Sequence, residues 1–189
     1  MNEIEVRFPD GNIIKTMYGT RVESLLEHFG KQDSAIVAVK ANNELLALST
    51  RLEVNASLEP VPLGSPEGTS IYRRSLSFLL AVAAKELFPD RTLQVGHSLG
   101  HGYFYSFSDE KKPTPEELAA LTGRMKELVG KNIPIRFFYL SYADALEHFT
   151  KNNQADTALL LEQQSKSMVP VNECDGFIDV SIAPLVPKT

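Results

Sequence analysis

The chain has 189 residues, with 43% hydrophobic and 23% charged positions, which excludes a disordered or low-complexity protein. Its net charge is −5, from nine acids and six bases in residues 1–63 and fifteen and thirteen in residues 64–189; neither part has the basic excess that phosphate neutralisation demands, so transfer RNA is not an expected partner. The single cysteine, Cys174, excludes an intrachain disulfide, and with no run of 18 apolar residues and no signal-peptide order in Met1-Asn2-Glu3-Ile4-Glu5, a soluble cytoplasmic protein without a membrane partner is expected.

In chain order, Ile4-Glu5-Val6-Arg7-Phe8 alternates as a half-buried strand does. Pro9-Asp10-Gly11-Asn12 is a turn, and Ile13 and Ile14 restart a strand, making a hairpin. Val22, Leu25, Leu26 and Phe29 recur at helical spacing from Arg21, with Gly30 as the cap. Ala35 to Val39 reads as a central strand; Asn42-Asn43 turns into Leu45-Leu46; Leu58 to Val61 closes the sheet. This order of hairpin, helix and three strands is that of a β-grasp domain. Pro60, Pro62, Gly64, Pro66 and Gly68 then punctuate the best domain boundary, dividing the chain into 1–63 and 64–189.

Beyond it, Ile71 to Phe88 reads as a long helix with Tyr72, Leu76, Leu79, Leu80, Ala83 and Leu87 on one face. Strands are expected at Thr92–Val95 and Tyr103–Phe107. Thr114-Pro115-Glu116-Glu117 is a capping box opening a helix whose Leu118, Leu121, Met125 and Leu128 face one way. Gly130 is its expected cap; Ile133–Leu140 is a strand, Ser141 starts a helix, and Phe177–Ile182 closes the chain as a strand. Without βαβ periodicity or internal repeats, the fold class is α+β.

Pro9-Asp10-Gly11 with Asn42-Asn43-Glu44-Leu45 resembles the TGS domain of threonyl-tRNA synthetases, and the remainder resembles their SAD editing domain. That domain carries H-S-x-x-H-L-L, a lysine, an acidic-proline step and a G-x-x-x-x-x-G-F-Y-Y strand. Here the matching residues are Arg74 to Leu80, Lys85 to Pro89, and Gly96 through Gly102-Tyr103-Phe104-Tyr105, aligned without a gap. Asp179 to Pro187 resembles the family's C-x-G-P-H-V-P segment. The resemblance implies a cluster of two histidines one helical turn apart plus a cysteine and a histidine, suited to zinc or to positioning a water. Those positions hold Arg74, Phe78, Ser181 and Leu185, none of which is a useful zinc ligand, so neither metal binding nor editing catalysis is expected.

Gly96-His97-Ser98-Leu99-Gly100, with Tyr103, Tyr105 and Pro184-Leu185-Val186-Pro187, resembles bacterial uridine-kinase-like proteins that carry TGS and SAD-like domains before a P-loop kinase domain. No P-loop occurs in this chain, so ATP and Mg are implied only for a downstream kinase domain, and the chain itself needs no cofactor. The expectation is a non-catalytic regulatory module of a nucleoside kinase. Arg74, His97, Ser98, His101, Tyr103 and Tyr105 are expected to line a pocket for an anionic small molecule or nucleotide. The alternatives are a free-standing aminoacyl-tRNA deacylase and a protein-interaction module. His97 and His101 are read as loop residues rather than a metal pair, Tyr103, Tyr105 and Phe107 as a core-lining face, and Cys174 as an incidental turn residue.

Overall fold

The computed structural model describes residues 2–31, 34–100, 102–109, 111–163 and 167–189, Leu99 by its backbone alone. The fold is mixed α+β, with several separate sheets. The chain forms two compact units: residues 1–75 with 134–188, and residues 76–133 with Thr189. These outlines follow packing, and they differ from the 1–63 and 64–189 division.

In the first unit, β1 (Glu3–Arg7) and β2 (Ile13–Met17) form the hairpin, paired from Glu3↔Met17 to Arg7↔Ile13. Gly11 takes the left-handed conformation its turn requires, at φ 88°. β3 (Thr20–Arg21) pairs with β6 (Arg51–Leu52), two-residue strands too short to leave a pattern. Val22–Phe29 is helical as expected but winds as a 3₁₀ helix, burying Val22 and Leu25. β4 (Ile36–Ala41) turns through Asn42 and Asn43, both left-handed at φ 51° and 69°, into β5 (Glu44–Ala47). β7 (Ala56–Pro62) runs parallel to β1 and antiparallel to β4, giving the order β2-β1-β7-β4-β5. Ile4, Val6, Phe8, Val22, Leu25, Val39 and Leu58 fill the core against the 3₁₀ helix.

α1 (Pro66–Leu87) starts where the Ser65 hydroxyl accepts the Gly68 N–H at 3.0 Å. Gly68 lies so close to β7 that a Cβ there would stand 2.1 Å from the Pro62 carbonyl oxygen. The buried stripe of α1 is Ile71, Ser75, Leu79, Val82 and Ala83, rotated from the expected face; Tyr72, Leu76 and Leu87 are exposed. Ser75 explains the rotation: its hydroxyl donates to the Ile71 carbonyl at 2.8 Å and accepts the Val186 N–H at 2.9 Å, so a polar residue is at home inside.

The first unit also holds β10 (Arg136–Ser141), α3 (Tyr142–Lys151), α4 (Ala155–Glu162), β11 (Met168–Cys174) and β12 (Phe177–Val180). The strands form an antiparallel sheet ordered β10-β11-β12, over which Ala145, Phe149, Leu161, Val169 and Val171 make a second core. Ser141 caps α3 by accepting the Asp144 N–H at 3.1 Å. α4 and β11 are elements beyond those expected from the sequence, and β11 is the central strand of its sheet although it carries Pro170. Cys174 is a fully buried residue of β11 rather than part of a turn; Asp175 and Gly176 make the turn, at φ 51° and 82°.

The second unit contains the rest of α1, the hairpin of β8 (Leu93–Leu99) and β9 (Gly102–Phe107), and α2 (Pro115–Gly130). Both bonds of the expected capping box are present, Glu117 N–H to the Thr114 hydroxyl at 3.2 Å and Thr114 N–H to the Glu117 carboxylate at 2.8 Å. Leu121 and Leu128 are buried but Leu118 is exposed, and Gly130 is the last helical residue while Lys131 is the cap. The expected strand at Thr92–Val95 extends to Leu99, so His97 and Ser98 lie in β8 rather than in a loop.

Candidate functional site

Helix α1 and the segment after β12 carry the positions that matched the editing cluster. Arg74 lies beside Ser75, whose hydroxyl ties α1 to the backbone of Val186. The guanidinium of Arg74 donates to the Ser70 hydroxyl at a long 3.4 Å, while its Nε is shielded from solvent and has no hydrogen-bond partner among the described residues. Ser181 is buried; its N–H donates to the Pro170 carbonyl at 2.8 Å and its hydroxyl to the Ala183 carbonyl at 3.3 Å. Leu185 is buried too. Phe78 is half-buried on α1, one turn after Arg74, and belongs to the second unit. Chemically, this set offers a permanent cation, a phenyl ring, a hydroxyl already donating and an isobutyl group. Of these four side chains only that of Ser181 has a lone pair to offer a metal. Among the described residues no three His, Cys, Asp or Glu side chains gather as a metal set.

Asp179, two residues before Ser181, escaped the sequence reading. Burial raises its pKa, opposed by hydrogen bonds to Oδ1 from the Val180 N–H at 2.8 Å and the Thr157 hydroxyl at 3.4 Å. The flanking Ile178 and Val180 give no sign of its burial, because alternation reports only which face it is on.

Of the residues expected to line a pocket, Arg74 belongs to the first unit, and His97, Ser98, Tyr103 and Tyr105 to the second; His101 lies outside the described residues. In the β8–β9 hairpin, Val95 pairs with Tyr105 and Ser98 with Tyr103, so Gly96 and His97 together oppose Phe104 in a bulge. His97 stacks on Phe104, ring centroids 5.9 Å apart and planes 14° apart. Tyr103 and Tyr105 meet edge to face at 6.5 Å, and strand alternation sets them on the face opposite Phe104. The Tyr105 hydroxyl is engaged with the Ser77 hydroxyl at 2.6 Å. Thus His97 and the two tyrosines occupy different faces of one hairpin.

No protein-family model matches the chain. Comparison with curated proteins decides between the two resemblances. The chain is similar to threonine–tRNA ligases. It is 32% identical over 192 residues to the ligase of Desulfovibrio desulfuricans, covering 98% of this chain and 30% of that protein. The ligase of Geobacter sp. strain M21 is 32% identical over 190 residues, covering 100% of this chain, and that of Francisella tularensis subsp. novicida 27% over 187 residues, covering 98%; each is matched over 30% of its own length. The chain therefore spans about 30% of the length of these curated relatives, in their N-terminal region.

These matches overturn the kinase reading: the similarity to synthetases runs the length of the chain, and nothing in it supports a uridine-kinase parent. The Gly96–Gly100 phrase that suggested a kinase belongs to the bulge and turn of the hairpin. A Cβ at Gly96 would press within 3.2 Å of the Phe104 ring, and Gly100 is left-handed at φ 59°. Those glycines serve backbone geometry and carry no information about phosphate transfer. Nor do the relatives support the exclusion of transfer RNA as a partner. No described helix is long and apolar enough to cross a membrane.

Proposed function

We propose that the chain is the TGS and editing-type region of a threonyl-tRNA-synthetase-like protein, and that it holds the acceptor end of a transfer RNA. Residues 1–63 are the TGS domain and residues 64–189 the SAD-like domain. The observation that carries this reading is colinear similarity to threonine–tRNA ligases over 98–100% of the chain. The β2-β1-β7-β4-β5 order around one short helix is the arrangement expected of a β-grasp TGS domain and supports the first assignment. Arg74, in place of the first editing histidine, contributes a permanent positive charge on α1, which suits a phosphate oxygen of the bound RNA. With Phe78, Ser181 and Leu185 at the other cluster positions, the domain binds without hydrolysing.

Filter binding of threonine transfer RNA, charged and uncharged, tests the proposal. Saturable micromolar binding is expected, and Arg74→Ala weakens it by about tenfold or more, the loss of one charge-assisted hydrogen bond. Absence of binding at low salt removes the reading.

One observation favours a second reading, deacylation of mischarged transfer RNA. Asp179, two residues before Ser181, is a partly buried carboxylate held by the Val180 N–H and the Thr157 hydroxyl, with its pKa raised by burial. Release of the amino acid at a rate proportional to protein and lost in Asp179→Asn identifies a deacylase; hydrolysis at the uncatalysed rate identifies a binding module.

A further inference from the structure

The first unit contains a groove of about 310 Å³ that involves none of Arg74, His97 or the hairpin tyrosines. Its walls include Glu44, Thr50, Phe137, Tyr139, Ser181 and Pro184. Phe137 and Tyr139 alternate along β10 and therefore share a face; their rings meet edge to face, 5.3 Å between centroids at 79°. Tyr139 is 56% exposed despite its aromatic bulk.

The charge in this groove is one-sided. Among the described residues no Lys, Arg or His lines it. Among the described residues Glu44 is the one acidic side chain that lines it, and it makes no ion pair there. The Ser181 hydroxyl proton is committed to the Ala183 carbonyl, which leaves that oxygen free only to accept. Among the described residues the groove thus sets an aromatic pair and a carboxylate beside the neutral hydroxyls of Tyr139, Thr50 and Ser181, with no positive charge. An anion entering it would meet Glu44 with nothing to offset the repulsion. A bare divalent metal would find one carboxylate where several oxygens are needed. A polarisable cation that carries its own donors completes the set, because ring faces and the carboxylate attract it together. The volume, at the lower end of small-molecule sites, admits such a group with a short stem.

We infer that this groove binds a small organic cation, a guanidinium or ammonium group on a short apolar stem. The inference does not rest on transfer-RNA binding and survives its failure.

The test is a titration of the ¹⁵N-labelled full chain, followed by two-dimensional NMR, with butylguanidinium, the near-isosteric neutral butylurea, and pentanoate. Butylguanidinium is expected to saturate in the millimolar range, shifting amides near Glu44, Tyr139 and Ser181. Butylurea binds about tenfold more weakly and pentanoate not at all, since the ring and carboxylate attraction needs the charge. Glu44→Gln weakens the cation by about fivefold or more, as does raising the salt. Tyr139→Ala, at an exposed position, removes most of the binding. Equal binding of butylguanidinium and butylurea, unchanged affinity in Glu44→Gln, or shifts that never saturate would each overturn the inference.

Discussion

Thr50 carries a hydroxyl oxygen that is closed off from solvent and has no hydrogen-bond partner among the described residues. A buried hydroxyl left unpaired costs about 1–3 kcal/mol, whereas its isosteric replacement by valine removes the polar atom and keeps the volume. Thr50→Val is therefore expected to leave stability unchanged or raise it by about 1 kcal/mol, read as the urea midpoint at constant slope. A clear loss would show that the hydroxyl is satisfied in solution. Asp179 is the opposite case, a polar group with partners but too little water. Its pKa is raised by burial, so the folded state binds the proton more tightly than the unfolded chain does. The stability attached to this group is complete below the unfolded carboxylate pKa and is lost as pH rises through the higher folded value. Asp179→Asn keeps an oxygen for the Val180 N–H, abolishes that fall and is expected to be the more stable protein at neutral pH. Denaturation curves across the acidic range measure it; an unchanged pH profile refutes the assignment. Neither residue was legible beforehand. Whether a threonine or an aspartate is dry depends on neighbours distant in sequence, and alternation reports only which face it is on.

Elements were more legible than residues wherever a local rule is strong. The Asn42-Asn43 turn, the Thr114 capping box and the Ser141 cap are specified within four residues, and all three formed as read. What failed had a distant cause. The stripe of α1 was misplaced because Ser75 is buried through a bond to Val186, 111 residues away. β11 carries Pro170 in a central strand, opposite Tyr139, where its carbonyl accepts the Ser181 N–H, a pairing fixed by residues distant in sequence. α1 also makes a direct test of packing against propensity. Gly68→Ala would gain about 1 kcal/mol of helix propensity, yet its Cβ would stand 2.1 Å from the Pro62 carbonyl. Overpacking of this kind costs about 1–3 kcal/mol or more, so the variant is expected to be less stable, with a lower urea midpoint. A stabilised Gly68→Ala protein would mean that the start of α1 moves freely away from β7.

At the scale of the whole molecule, the grouping of residues 134–188 with 1–75 left no mark in composition, since only contacts made on folding bring them together. The charge, by contrast, is plain in the sequence, and it constrains how a transfer RNA would be held under the proposed function. With a net charge of −5 the chain as a whole repels a polyanion, so under the proposed function affinity would come from a few placed groups such as Arg74 and from fit to the acceptor end. Each phosphate neutralised contributes roughly 0.7–0.9 to the slope of log affinity against log salt. Two to four such contacts give a slope of about −1.4 to −3.6, so binding should fall by about 7- to 150-fold between 50 and 200 mM salt, not the roughly thousandfold or more of an extended basic surface. Arg74→Ala should weaken binding and also flatten the slope by about one contact, whereas a variant that merely unsettles the fold would lower affinity with the slope intact. Filter binding at four salt concentrations separates these outcomes. A steep slope would mean a basic surface that the composition does not provide, and an unchanged slope in Arg74→Ala would remove Arg74 from the RNA contact.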